Sequence, residues 1–181
     1  MAFFRPGPGP YALAIAMTGV RLGERLLGIG SGTPDLFAAL AAKTGLSGHA
    51  AGVAEDQAGA DALNSAAAEA GALVEVEVAS PDSLPYPAES FDLAVVDATG
   101  AALDKSLKWL ADALRVLRTG GRLIVAERTG GVRLWGVFDV GRSSAPGHSI
   151  VRALEMNGYR PVRKIAERDG WRFTEGLKPR T

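Results

Sequence analysis

The chain has no cysteine, which excludes disulfides, thiolate nucleophiles and cysteine-ligated metal sites. It has only two histidines, His49 and His148. No paired His or acidic cluster sits at ligand spacing, so no metal centre is expected. Neither sign of charge is in excess: 20 basic residues balance 20 acidic ones. A protein that binds nucleic acid electrostatically normally carries a basic surplus, so that class is not expected. No apolar run is long enough to span a membrane. The N-terminal residues lack the order of a secretory signal, a basic region before an apolar core and a small-residue cleavage site. A cytoplasmic protein is the expectation. What remains is 181 residues, 47% of them hydrophobic, enough for one domain over 1–181 with a sizeable core.

Within that chain the most telling stretch is residues 25–34, Arg-Leu-Leu-Gly-Ile-Gly-Ser-Gly-Thr-Pro. An apolar run (Leu26, Leu27, Ile29) ends in Gly30 and Gly32, and a helical pattern begins at Pro34, a residue suited to a first helical turn. A strand that bends through glycines into a helix makes a small-ligand pocket at the strand's carboxyl end. Glycine suits the bend because it accepts positive φ and lets a ligand approach the backbone closely. The helix start adds N–H groups facing the same place. A tight turn that holds no ligand would leave the same pattern.

Elsewhere strands and helices alternate. Residues 11–18 read as a short helix, 25–29 as the first strand and 34–43 as a helix. A second strand follows at 50–54, then an alanine-rich helix at 57–70 with a glycine stop. Residues 73–78 alternate Val with Glu, so one face is wet and the strand belongs near a sheet edge. Pro81, Pro85 and Pro87 mark a loop. Residues 91–97 form a nearly continuous apolar run, a buried central strand. A helix is expected at 105–118, stopped by Thr119-Gly120-Gly121, and a fifth strand at 123–126. Residues 132–140 fit a strand or a short helix, and 141–148 a loop. A helix at 149–157 is capped by Ser149. Strands at 159–167 and 171–177 flank a hairpin signal at Arg168-Asp169-Gly170. The pattern predicts an α/β protein with one doubly wound, mainly parallel seven-stranded sheet and an antiparallel element at the C-terminal end.

Four stretches carry a family resemblance. They are the glycine-rich turn at 23–34, Leu-Pro-Tyr-Pro leading into the strand at 84–97, Leu-Arg-Val-Leu-Arg-Thr-Gly-Gly-Arg-Leu-Ile-Val-Ala-Glu at 114–127, and Gly-Tyr-Arg-Pro-Val at 158–162. Together they resemble a class I S-adenosylmethionine-dependent methyltransferase of the small, methyltransferase type 11 group that includes the quinone-biosynthesis C-methyltransferases. The resemblance covers residues 11–126 well and the tail loosely. It implies a Rossmann-like methyltransferase fold, S-adenosylmethionine as cofactor and a small-molecule acceptor. It also implies an N-terminal lid segment (1–20, with Tyr11 either closing over the cofactor or packing in the core), a cofactor-binding core (21–127) and an acceptor side (128–181). By resemblance the cofactor lies against Gly28, Gly30, Ser31, Gly32, Glu55, Ser80, Asp82 and Asp97. Asp97 and His148 are the candidates for a catalytic role; each also suits an ordinary loop role.

The departures from the family pattern matter as much. Gly28 stands where the family usually has an acid, and Pro34 where it has a third glycine. Ala54 stands at the ribose-binding acid, with Glu55 and Asp56 directly after, and Ser80 stands where an aspartate often meets the adenine. A hydrogen bond to a charged group is worth about 1.5–3 kcal/mol, so losing the ribose acid alone would weaken the cofactor about tenfold or more. Glu55 replaces that acid if the strand ends one residue later; otherwise it is a helix-start acid favoured by the dipole. Two readings follow, a methyltransferase aligning donor and acceptor without metal, and a catalytically silent relative that binds nucleosides weakly or serves as a partner subunit. A nicotinamide dinucleotide binder is disfavoured, because the third position of a Gly-x-Gly-x-x-Gly count from Gly30 is Asp35. With no inserted acceptor domain, the acceptor is small or a homodimer completes its pocket. Arg115, Arg118 and Arg122 are expected on a solvated face, and His49 at the rim away from the chemistry.

Overall fold

The computed structural model describes residues 11–97, 108–128, 150–168 and 170–180, apart from the side chains of Asp97 and Arg128. Seven strands form one sheet: β1 (Arg25–Ile29), β2 (His49–Ala54), β3 (Glu75–Val78), β4 (Phe91–Asp97), β5 (Leu117–Arg128), β6 (Val162–Arg168) and β7 (Trp171–Leu177). Their spatial order is β3-β2-β1-β4-β5-β7-β6. The first five run parallel, and β7 lies antiparallel between β5 and β6. This is the doubly wound α/β sheet that the alternation predicts, with Val78 of edge strand β3 half exposed.

Strand periodicity sorts the core into two halves. From β1, Leu26 points to one face, where α1 (Ala12–Thr18), α2 (Pro34–Thr44) and α3 (Gln57–Glu69) pack. Leu27 and Ile29 point to the other, against α4 (Lys108–Val116) and α5 (Ile150–Met156). Tyr159, fully buried on that second face, donates its hydroxyl to the Leu110 carbonyl at 2.9 Å. It thereby ties the α5–β6 corner to α4.

Two expectations fail. Thr119-Gly120-Gly121 does not separate helix from strand: α4 ends at Val116 and β5 begins at Leu117, running through the glycines. The reason is a bulge. Phe91 pairs with Leu117, yet Leu93 pairs with Arg122, so the β5 side carries extra residues. Gly120 takes φ +78°, and a Cβ at Gly121 would lie 2.8 Å from the Arg118 carbonyl oxygen. The glycines permit the bulge rather than ending an element.

The three arginines are also not simply a solvated face: Arg118 is exposed, but all three are engaged in ion pairs and Arg122 is largely withdrawn from solvent. Arg122 donates to both Glu24 oxygens at 2.9 Å and to the Thr18 and Gly19 carbonyls. Arg118 pairs with Asp92, which also accepts from the Arg25 amide at 2.8 Å. Arg115 clasps Asp112 and the carbonyls of Leu84 and Tyr86. Sequence spacing showed three cations near one another; the pairing of Arg118 and Arg122 with distant carboxylates and of Arg115 with the Leu84 and Tyr86 carbonyls is tertiary, whereas Arg115–Asp112 is a local i,i+3 pair.

Candidate functional site

Because β1 to β5 are parallel, their carboxyl ends share one rim. The glycine turn after β1, Glu55 after β2, Ser80 after β3, and Asp97 at the end of β4 therefore come together from four separate segments. Two backbone bonds continue the pairing past the strands: Gly30 N–H to the Val53 carbonyl and Ala79 N–H to the Ala54 carbonyl, each 2.9 Å. Gly30 sits at φ +89°, the left-handed region that a side chain disfavours.

Behind the turn the glycines do a different job. A Cβ on Gly28 would lie 2.4 Å from the Phe37 ring, and one on Gly52 would lie 3.3 Å from it. These two glycines are partners across β1 and β2. The ring of Phe37, from α2, fills the space their missing side chains leave. Gly28, Gly30, Thr33, Phe37 and Val95 line a mostly apolar crevice there. A carboxylate at position 28 has no room while Phe37 holds that seat. Ser31 turns toward α3: its Oγ would lie 2.6 Å from a Cβ on Gly59. Gly32 is exposed.

Glu55 is exposed immediately after β2, whose last residue is Ala54. Asp56 instead caps α3, accepting from Gly59 N–H at 2.8 Å. The two neighbouring acids thus differ, one committed to the helix and one facing outward at the rim. Ser80 Oγ accepts from the Asp82 amide at 3.3 Å, and the Asp82 side chain is exposed. The loop holding both is clamped to α4. Asp112 accepts from the Leu84 amide at 2.6 Å, and Arg115 donates to the Leu84 and Tyr86 carbonyls at 3.0 and 2.7 Å. The Arg115 guanidinium beside Asp112 holds its carboxyl below the usual range, against the opposing effect of partial burial.

The Asp97 side chain lies outside the described residues, as do His148 and Ser149, the region 129–149 and the stretch 98–107. Tyr11 packs against the core half under α1 and α2. His49 opens β2 at the opposite rim, 3.7 Å from Glu75. Among the described residues no cluster of His, Asp and Glu could hold a metal, and no described helix is long and apolar enough to cross a membrane.

Sequence reasoning passed over Glu127. It sits near the carboxyl end of β5, one residue beyond Ala126, the partner of Asp97. Its Oε2 is buried without a hydrogen-bond partner. Burial pushes its carboxyl up from the usual range; Arg172 opposes that and Glu167 adds to it. The available signal was position alone, an acid closing an apolar strand at the ligand rim.

Residues 27–125, more than half the chain, match the family described as a methyltransferase domain. The chain belongs to that family. Among curated relatives of this methyltransferase family, the ubiquinone/menaquinone biosynthesis C-methyltransferase UbiE of Bordetella parapertussis is 33% identical over 120 residues, covering 64% of this chain and 45% of that protein. The chain thus spans under half the length of the curated relatives it matches. Among solved structures, a SAM-dependent methyltransferase from Aquifex aeolicus superposes with TM-score 0.72 at 19% identity, covering 94% of both chains. A cyclase, SpnF, superposes with TM-score 0.69 at 18% identity over 93% of this chain and 79% of its own. These two likenesses speak for the fold, the class I methyltransferase sheet.

Proposed function

We propose that this methyltransferase-family chain transfers a methyl group from S-adenosylmethionine to a small-molecule acceptor by in-line alignment at the carboxyl rim. The single observation carrying the reading is the convergence there of the glycine turn, with Gly30 at φ +89°, and the outward-facing Glu55 directly after β2. The residues fit an adenosyl group. The turn offers close backbone approach, Glu55 offers a carboxylate for paired ribose hydroxyls, and the clamped loop at 80–87 offers Ser80 and Asp82 beside an adenine. When bound, S-adenosylmethionine supplies an already electrophilic methyl. The chain's task is then to orient donor and acceptor and to exclude water. In this reading residues 1–20 act as a lid, 21–127 hold the cofactor and 128–181 form the acceptor side. A cytoplasmic location and a homodimer that completes the acceptor pocket belong to it as well.

One observation favours a second reading. Gly28, filled over by Phe37, and Ala54 remove two acids from the cofactor side, which suits a weak nucleoside binder or partner subunit that does not transfer methyl groups. SpnF, named as a cyclase, shows that the same fold is not tied to one reaction. Titration calorimetry with S-adenosylmethionine and S-adenosylhomocysteine separates them. Micromolar binding, weakened about tenfold by Glu55→Ala, is the expected result. Absence of binding at millimolar ligand would leave the non-catalytic reading standing.

A further inference from the structure

We infer that Glu127 is the acceptor-side acid of this rim, taking a hydrogen bond and then a proton from an acceptor that presents an O–H or N–H group. The inference rests on the methyl-transfer reading above and adds to it a residue and a substrate class.

Position comes first. β5 neighbours β4, and Ala126 is the partner of Asp97, so Glu127 stands about 5 Å to the side of the end of β4. Ligands in open α/β sheets lie over such ends. Leu123 and Val125 point to the α4–α5 face, and alternation puts Glu127 on that face too.

Partners come second. Glu127 stands opposite Arg172 of β7, which in turn stands opposite Glu167 of β6. Arg172 gives its Nε and Nη2 to Glu167, at 3.3 and 3.1 Å, and Lys164 adds a third bond to Glu167 at 3.0 Å. Glu127 therefore shares the Arg172 charge while its Oε2 is left buried with no donor. Buried carboxylate oxygens normally find a donor. One kept without a donor, at a ligand rim, is matched to a group that arrives with the substrate. Burial also raises the carboxyl's proton affinity, which brings it closer to the range in which a general base works well near neutral pH.

The chemistry balances. The acceptor's oxygen or nitrogen lone pair forms the new bond to the methyl carbon as the sulfur–methyl bond breaks, with sulfur keeping the electron pair. The acceptor's proton passes to the Glu127 carboxylate and from there to water. The donor is S-adenosylmethionine, and no oxidant or reductant is involved.

The test has two arms on the full chain with Glu127→Gln. The first is thermal unfolding without ligand. Glutamine keeps the shape and removes the charge, so Tm is expected to rise by about 2 °C. The parent's stability falls as pH rises from the ordinary Glu range through the raised value, because a raised folded-state pKa favours the protonated form; the variant lacks that slope. A lower Tm would mark a structural ion pair with Arg172 and overturn the inference. The second arm follows S-adenosylhomocysteine release with a panel of phenols and primary amines. The variant is expected to lose about 100-fold in turnover while its calorimetric affinity for S-adenosylhomocysteine stays within twofold. Equal turnover, or a parent that binds the nucleoside but methylates no panel member, overturns the Glu127 role. A parent that binds neither nucleoside overturns the methyl-transfer reading instead, and the Tm arm still reports whether Glu127 is a structural pair.

Discussion

The two rims of the sheet use their polar residues in opposite ways. At the amino rim charged groups are tied to one another: Glu24 with Arg122, Asp92 with Arg118 and with the Arg25 amide, and Arg25 over the Phe91 ring at 5.9 Å. Burial pushes the Glu24 carboxyl up, but the Arg122 guanidinium and the Arg21 amide and charge together outweigh it and hold the carboxyl below its usual range. At the carboxyl rim Glu55 and Asp82 face outward, and Glu127 keeps an oxygen without a donor. The amino rim stabilises the fold. On the proposed methyl-transfer reading, the polar groups of the carboxyl rim among the described residues are the ones that meet the ligand, the usual division in an open parallel sheet.

The comparison breaks most sharply at Gly28, the place where the ligand rim is packed like a core. Gly28→Asp would force a carboxylate into the Phe37 ring, and a destabilisation of about 3–5 kcal/mol is expected from overpacking and buried charge together. Urea unfolding measures it. Pairing the change with Phe37→Ala should recover part of the loss if the ring is the obstacle; an unaltered loss in the double variant would contradict the packing account.

Next in size is Arg122→Ala at the amino rim. It strands the partly buried Glu24 and removes bonds to two carbonyls, for an expected cost of about 3 kcal/mol. Affinity for S-adenosylhomocysteine should not move. A loss of affinity as large as the loss of stability would show that the two rims are not separable.

The smallest effect is expected at Asp112, which joins the rims by tying the 80–87 loop to α4. Asp112→Asn sets an amide N–H₂ against Arg115 and should cost about 1.5 kcal/mol. The sign with pH follows from the lowered carboxyl. Its stabilisation is complete above the ordinary Asp range and is lost as pH falls through the lowered value. Parent and variant should therefore converge in acid, as measured by Tm against pH; a gap that persists at the lowest pH would contradict it.

Local chemistry in the sequence already specified much of this. Leu26, Leu27, Ile29 and the Gly30 turn mark β1 and its bend, because an apolar run and glycine conformational freedom act over a few residues. The Val–Glu alternation within 73–78 identified an edge strand, observed as β3 at Glu75–Val78, for the same reason. The extra length of β5 was not legible, since Thr119-Gly120-Gly121 reads equally as a helix stop or a bulge until Phe91 and Leu93 set the register. Nor was the Phe37 seat legible, because it joins a helix to glycines on two strands.

What the sequence by itself determined is the order of elements and the position of the turn, both consequences of short-range periodicity and backbone sterics. Only the tertiary structure decided which charges are satisfied internally. Glu24 and Asp92 each met a guanidinium brought in by folding, while Glu127 came to rest beside an arginine already engaged by Glu167. The pairing of a carboxylate depends on distances between segments far apart in the chain, and those distances exist only once the sheet has formed.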